Sequence, residues 1–289
     1  MKTYHPSKEV LEKYADLLIN YAINKCKGIK PGQVILLQVP ECAKPFLLPL
    51  QNAVLKAGAN PIIQFLADGN ARDYYLLAND SQIKFFPDKY LKGLIDQVDH
   101  RIYIIADANP KELHGINPKK LMAKQKTMKP YSDWMKEKEI KGKFTWCLAM
   151  YGTPAMAKEA GLSLNEYWNQ IIEACYLDKQ NPIKEWKRIN AQIKETVEKL
   201  NALKIEKLRM RAPNTDIIIG LGKDRKWLGG RGANLPSFEV FVSPDARITH
   251  GKVQFTEPLY RYGNLITNVY LEFKNGEVIK AKADKGENL

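Results

Sequence analysis

A chain of 289 residues with 45% hydrophobic and 27% charged residues is long enough for one large unit or two of ordinary size. No apolar run nears the roughly 20 residues that cross a bilayer. The opening stretch MKTYHPSKEVLEKYADLL has neither the uninterrupted apolar core nor the small-residue cleavage site of a secretion signal, so a cytoplasmic protein with no membrane partner is expected.

The net charge of +13 draws attention to acidic partners such as nucleic acid. The lysines are scattered, however, and NPKKLMAKQKTMK reads as the solvated face of a helix. No aromatic RNA-binding motif, zinc finger or arginine-rich arm accompanies them, and nucleic acid is disfavoured as a partner. Cys26, Cys42, Cys147 and Cys175 show no metal-binding spacing and read as buried free thiols.

Ser7 can cap a first helix whose apolar positions Val10, Leu11, Tyr14, Leu17, Leu18 and Tyr21 recur every three or four residues. KGIKPGQ ends it. QVILLQV, the helical KPFLLPLQNAVLKAGA and PIIQFLA then spell strand, helix, strand, a unit whose two strands run parallel and are buried on both faces. The pattern recurs: LKGLIDQVD leads into the strand HRIYIIADAN, the helical PKKLMAKQKTMKPYSDWMKEKEI follows, and then the strand KFTWCLAMYG.

Four strands alternating with helices predict a doubly wound, mostly parallel sheet flanked by helices. Ligands favour the carboxyl ends of such strands, here near Pro40, Asp68, Asp107 and Tyr151. No glycine-rich nucleotide fingerprint follows any strand. Ser163 and Glu166 form a capping box ahead of NEYWNQIIEACYL, and a longer helix begins at Pro182.

Beyond this helix the texture changes to short apolar runs broken by Gly, Pro and Asn. NVYLEFKNGEVIKAKA places Asn275-Gly276 between two alternating runs, a hairpin signal, with Val269, Leu271 and Phe273 on one side and Tyr270 and Glu272 on the other. The chain thus divides into an α/β domain over residues 1–205 and a β-rich, antiparallel domain over residues 206–289.

Pro236 and Pro244 bracket Glu239 in RGANLPSFEVFVSPD. Alternation puts Phe238, Val240 and Val242 on one face and Glu239, Phe241 and Ser243 on the other. The residues alone leave open a solvated strand carboxylate or a metal ligand, and one carboxylate does not make a site. His5, His100, His114 and His250 pair at no helical spacing; His250 falls in a predicted turn. Asp68 and Asp107 sit where sheet ligands bind, and equally where a chain needs a polar residue to leave a strand. No nucleophile elbow is present.

GANLPSFEVFVSPDARITHGKVQFTEPL resembles the M29 metallo-aminopeptidases, the thermophilic aminopeptidase family, in its run G-x-N-x-P-x-x-E-V-F. YADLLINYAINKCKGIKPGQVILLQVP, AVLKAGANPIIQF, EAGLSLNEYWNQIIEACYLD, NTDIIIGLGKDRKWLGG and GEVIKAKADKGENL extend the resemblance, in the same order, over nearly the whole chain. It implies a metal-dependent exopeptidase that releases N-terminal residues from peptides with a free N-terminus, through water activated by two divalent metal ions (zinc, cobalt or magnesium). Homodimers are expected from the same source.

By its place in the motif, Glu239 corresponds to a metal-ligand glutamate, and the flanking prolines would limit the backbone freedom of the segment. Phe238 stands where relatives carry glycine. The resemblance also implies that relatives continue past KADKGENL and hold their remaining ligands there. Residues 206–289 are then the beginning of a catalytic domain, incomplete relative to the family, and the chain alone is expected to be inactive. The alternative is a non-catalytic α/β binding protein whose basic surface holds an acidic partner or nucleic acid.

Overall fold

The computed structural model describes residues 4–287. In chain order its strands are β1 (Val34–Pro40), β2 (Asn60–Leu66), β3 (His100–Ile105) and β4 (Thr145–Met150), followed by β5 (Lys207–Ala212), β6 (Thr215–Gly220), β7 (Leu228–Gly229), β8 (Asn234–Leu235), β9 (Val240–Phe241), β10 (Asp245–Gln254), β11 (Leu259–Arg261), β12 (Asn264–Ile266), β13 (Tyr270–Lys274) and β14 (Glu277–Lys282). The chain forms two compact units. Among the described residues the first holds 4–112, 116–189 and 231–237, the second 113–115, 190–230 and 238–287.

In the first unit, β1 pairs in parallel with β2 on one side and β3 on the other, and β3 pairs in parallel with β4. The sheet order is β2-β1-β3-β4-β8. Ile35, Leu36, Leu37 and Val39 are all buried, as a strand covered on both faces requires. Leu36 packs with Ile95, Val98 and Phe144 and against the half-buried Trp134, Met135 and Trp146. The expectation of double burial fails for β2. It is an edge strand, and Ile63 and Phe65 remain exposed, because an edge has a neighbour on one side only.

Ser7 caps the helix Lys8–Leu17, its hydroxyl accepting from the Val10 N–H at 3.2 Å. The helix then widens into a π turn, Leu18–Ala22, and Asn24, Lys25 and Cys26 adopt positive φ. The helical stretch predicted after β3 forms two helices, Pro118–Thr127 and Lys129–Ile140. Pro130 supplies no N–H and fits only a first turn. The capping box forms as predicted, the Glu166 N–H donating to Ser163 Oγ at 3.3 Å and the Ser163 N–H to Glu166 Oε2 at 2.8 Å.

The helix Pro182–Ala202 precedes the change to strands at Lys207. The second unit carries an antiparallel sheet in the order β14-β13-β10-β6-β5. Asn275 and Gly276, at φ 53° and 80°, make the tight turn between β13 and β14, where two successive positive φ values suit the strand twist. Tyr270 and Glu272 share a face as predicted, the phenol donating to Glu272 Oε1 at 2.5 Å. β14 is exposed along its length at one edge of the sheet.

One connection was not foreseen. Residues 231–237 return to the first unit, where β8 adds to the parallel sheet through Leu148↔Asn234 and Ala149↔Leu235. The Leu148 N–H donates to Ala233 O at 2.8 Å.

Candidate functional site

Glu239 lies immediately before β9, which pairs antiparallel with β7 through Leu228↔Phe241 and Gly229↔Val240. The Leu235–Pro236 peptide bond upstream is cis. Glu239, Phe241 and Ser243 are exposed and Val240 and Val242 half-buried, in keeping with the predicted alternation. Phe238 departs from it. It precedes the two-residue strand and is 53% exposed, since the pleat that would have turned it inward has not begun.

Residues not singled out from the sequence hold this segment. A Cβ at Gly229 would lie 2.8 Å from Glu239 O and 2.7 Å from Ile193 Cγ2, so the close approach of the two backbones requires glycine there. Asn201 braces the entry to β7: its Oδ1 accepts from the Trp227 N–H at 2.9 Å and its Nδ2 donates to Trp227 O at 3.1 Å. The paired glycines of WLGG were the sequence signal for this close contact.

His250, predicted in a turn, lies inside β10. The ladder to β6 is irregular between Asp245 and His250, and that interruption is what makes the sequence look turn-like. His250 is exposed, and its Nδ1 accepts from the Asn275 N–H at 3.3 Å. His114 meets Asn264 Oδ1 at 2.9 Å. Asp245, just past Pro244, is held by Arg247, whose Nε donates to Oδ1 at 2.9 Å and whose second guanidinium nitrogen donates to Oδ2 at 2.5 Å. These bonds push its carboxyl down to about 2, which commits it to an ion pair. Among the described residues no group of three or more His, Cys, Asp and Glu side chains is arranged to hold a metal ion.

His100 is 3% exposed at the start of β3 and shares a 2.8 Å hydrogen bond with Thr145 Oγ1. At the other end of the same sheet, the chain leaving the parallel strands brings Cys42 and Asp68 together. Burial, then the charge of Asp68 and a hydrogen bond to it, push the Cys42 thiol up to about 12. Asp107 is raised by burial and by the carboxylates of Glu112 and Asp68. Cys147 and Cys175 are the buried thiols; Cys26 and Cys42 are half-buried, and none of the four forms a disulfide.

The fold is shared with the solved structure of wild-type AmpT from Thermus thermophilus, at a TM-score of 0.81 and 26% identity, over 97% of this chain and 73% of that one. Aminopeptidase PepS of Streptococcus thermophilus is 29% identical over 303 residues, which span 98% of this chain and 72% of PepS. Aminopeptidase T of Thermus thermophilus is 27% identical over 304 residues, again 98% of this chain and 72% of that protein. The profile of the thermophilic metalloprotease family M29 matches residues 7–289; the chain belongs to this family. Membership implies divalent metal ions, yet among the described residues no group of three or more His, Cys, Asp and Glu side chains that could hold one is found, around Glu239 or elsewhere. These residues by themselves do not fit a two-metal centre, which takes three or more protein ligands for each ion.

Proposed function

We propose that this chain acts as a metal-dependent aminopeptidase, a hydrolase that removes residues from the free N-terminus of peptides. The observation that carries the reading is the family match from residue 7 to residue 289, supported by relatives that are named aminopeptidases along almost the whole of this chain. Two ions of zinc, cobalt or magnesium are the proposed complement, with Glu239 one of their ligands. Support for that role comes from its place in the run Asn234-x-Pro236-x-x-Glu239-Val240-Phe241, from its solvent-facing position, and from the glycine contact that fixes its backbone.

The test uses the protein isolated from its source cells. Leucine p-nitroanilide should be cleaved and its N-acetylated form left intact; activity should vanish with a chelator and return with one of the three cations. Equal cleavage of the acetylated substrate, or activity indifferent to chelation, would refute the assignment. In the active protein Glu239→Gln should lower metal occupancy, measured by elemental analysis; unchanged stoichiometry and affinity would remove Glu239 from the ligand set.

A further inference from the structure

The second unit carries a cavity of about 520 Å³, within the roughly 300–1,000 Å³ of small-molecule pockets. Three segments build it. The helix Pro182–Ala202 contributes its last turn, and Lys204, at φ 49°, then turns the chain toward β5. The Leu221 N–H donates to Glu206 O at 2.8 Å, which adds one rung beyond the β5–β6 ladder and starts the link from β6 to β7 at the cavity wall. Val242, just past β9, lines the apolar floor with Leu200, Ile205 and the buried Leu221.

One wall is aromatic and fixed. Trp227 lines the cavity, and both amide groups of Asn201 hold its backbone. The indole N–H groups of Trp168 and Trp186 each donate to a backbone carbonyl, whereas that of Trp227 has no hydrogen-bond partner among the described residues.

The lining is basic. Lys204, Lys223, Arg225 and Lys226 face one carboxylate, Glu206, and Asp224 does not line the cavity. Among the described residues none of the four cations makes an ion pair, although lysines elsewhere find carboxylates within one helical turn, as Lys92 does with Asp96 and Lys199 with Glu195. Arg225 lies near enough to Asp245 to help lower its carboxyl, but that carboxylate is already taken by Arg247. Lys204 can answer the carbonyl end of the helix; the three cations of the opposite segment have no such role. Unpaired like charges beside an apolar floor build a positive potential that an anion relieves.

We infer that this cavity binds a nucleoside phosphate, its base against Trp227 and its phosphates among Lys223, Arg225 and Lys226. Lysine and arginine are the side chains that take phosphate oxygens, and an indole face stacks a base. The cations surround one concave site instead of following a stripe, which favours a single nucleotide over a nucleic-acid strand. Occupancy requires no metal ion, so the result is independent of the proposed peptidase reaction.

The test is calorimetry on the full 289-residue chain in the presence of EDTA, with ADP as the probe. ADP should bind once per chain, with adenosine and inorganic pyrophosphate each at least about tenfold weaker because each keeps only half of the contacts. Lys223→Gln with Lys226→Gln, both at exposed positions, should weaken ADP by about tenfold or more and leave adenosine unchanged. In the wild-type chain ADP should also slow acetylation of Lys223 and Lys226, read by peptide mass mapping, so the outcome does not depend on how the double variant folds. Adenosine or pyrophosphate binding as tightly as ADP, undiminished ADP binding in the folded double variant, no protection of the two lysines, or a single-stranded DNA oligomer that outcompetes ADP would each overturn the inference.

Discussion

Substituting Gly229 by alanine tests the packing that fixes Glu239. The added methyl would stand 2.7 Å from Ile193 Cγ2 and 2.8 Å from Glu239 O, both closer than the roughly 3.5–4.0 Å optimum of carbon contacts. Ile193 is a side chain with rotamer freedom, and its contact can be relaxed by rotation. The Glu239 carbonyl is backbone and can withdraw only if β9 moves away from β7. Overpacking of this kind costs about 1–3 kcal/mol. At about 1.4 kcal/mol per tenfold change, opening of the two-residue ladder becomes roughly 5- to 150-fold more frequent. Amide hydrogen exchange at Leu228, Gly229, Val240 and Phe241 should accelerate by that factor while exchange in β1 and β3 stays unchanged. Wild-type exchange rates along β7 and β9 in Gly229→Ala would refute the reasoning, because the glycine would then not be required by the approach of Glu239.

Three further outcomes follow from other parts of the molecule. Gly93 lies exposed in the helix Asp88–Gln97 with nothing within 4 Å of an added Cβ, so Gly93→Ala should stabilise the first unit by about 1 kcal/mol; a fall in its urea midpoint would contradict this. Burial lowers the His100 pKa from 6.5 to about 4, with Asp99 raising it and Lys138 lowering it to smaller extents. Because the unfolded imidazole takes up its proton first, the stability present above pH 6.5 should be lost as pH falls through 4, by on the order of 3 kcal/mol. Denaturant titrations across that window should show the loss, and His100→Phe should flatten it; an equal pH slope in the variant would count against His100. Finally, Cys147 and Cys175 are fully buried and should resist iodoacetamide until the chain unfolds, whereas Cys26, which is half-buried, should label in the native protein; native labelling of Cys147 ahead of Cys26 would contradict the packing.

The sequence by itself determined the features that depend on a few neighbouring residues. Ser7 and Ser163 cap their helices because an accepting hydroxyl and an orphan N–H lie within one turn. Asn275-Gly276 sets a hairpin through two local dihedral angles. Four apolar runs separated by helices carried the parallel pairing of β1 to β4, and Pro40, Asp68, Asp107 and Tyr151 could be placed at the carboxyl ends of those strands. The motif around Glu239 pointed to the family, with no three-dimensional information.

Tertiary structure alone decided which strand lies at an edge, and so why Ile63 and Phe65 are exposed. It decided that Asn234 and Leu235 return to pair with Leu148 and Ala149, that His250 belongs to a strand rather than a turn, and that Gly229 receives the Glu239 carbonyl. Cys42 and Asp68 likewise become partners only after two strands have paired. Local dihedral preferences and apolar periods are written within a few residues. Pairing between distant segments is chosen by the burial and hydrogen bonding of the whole chain, which no single stretch of sequence contains.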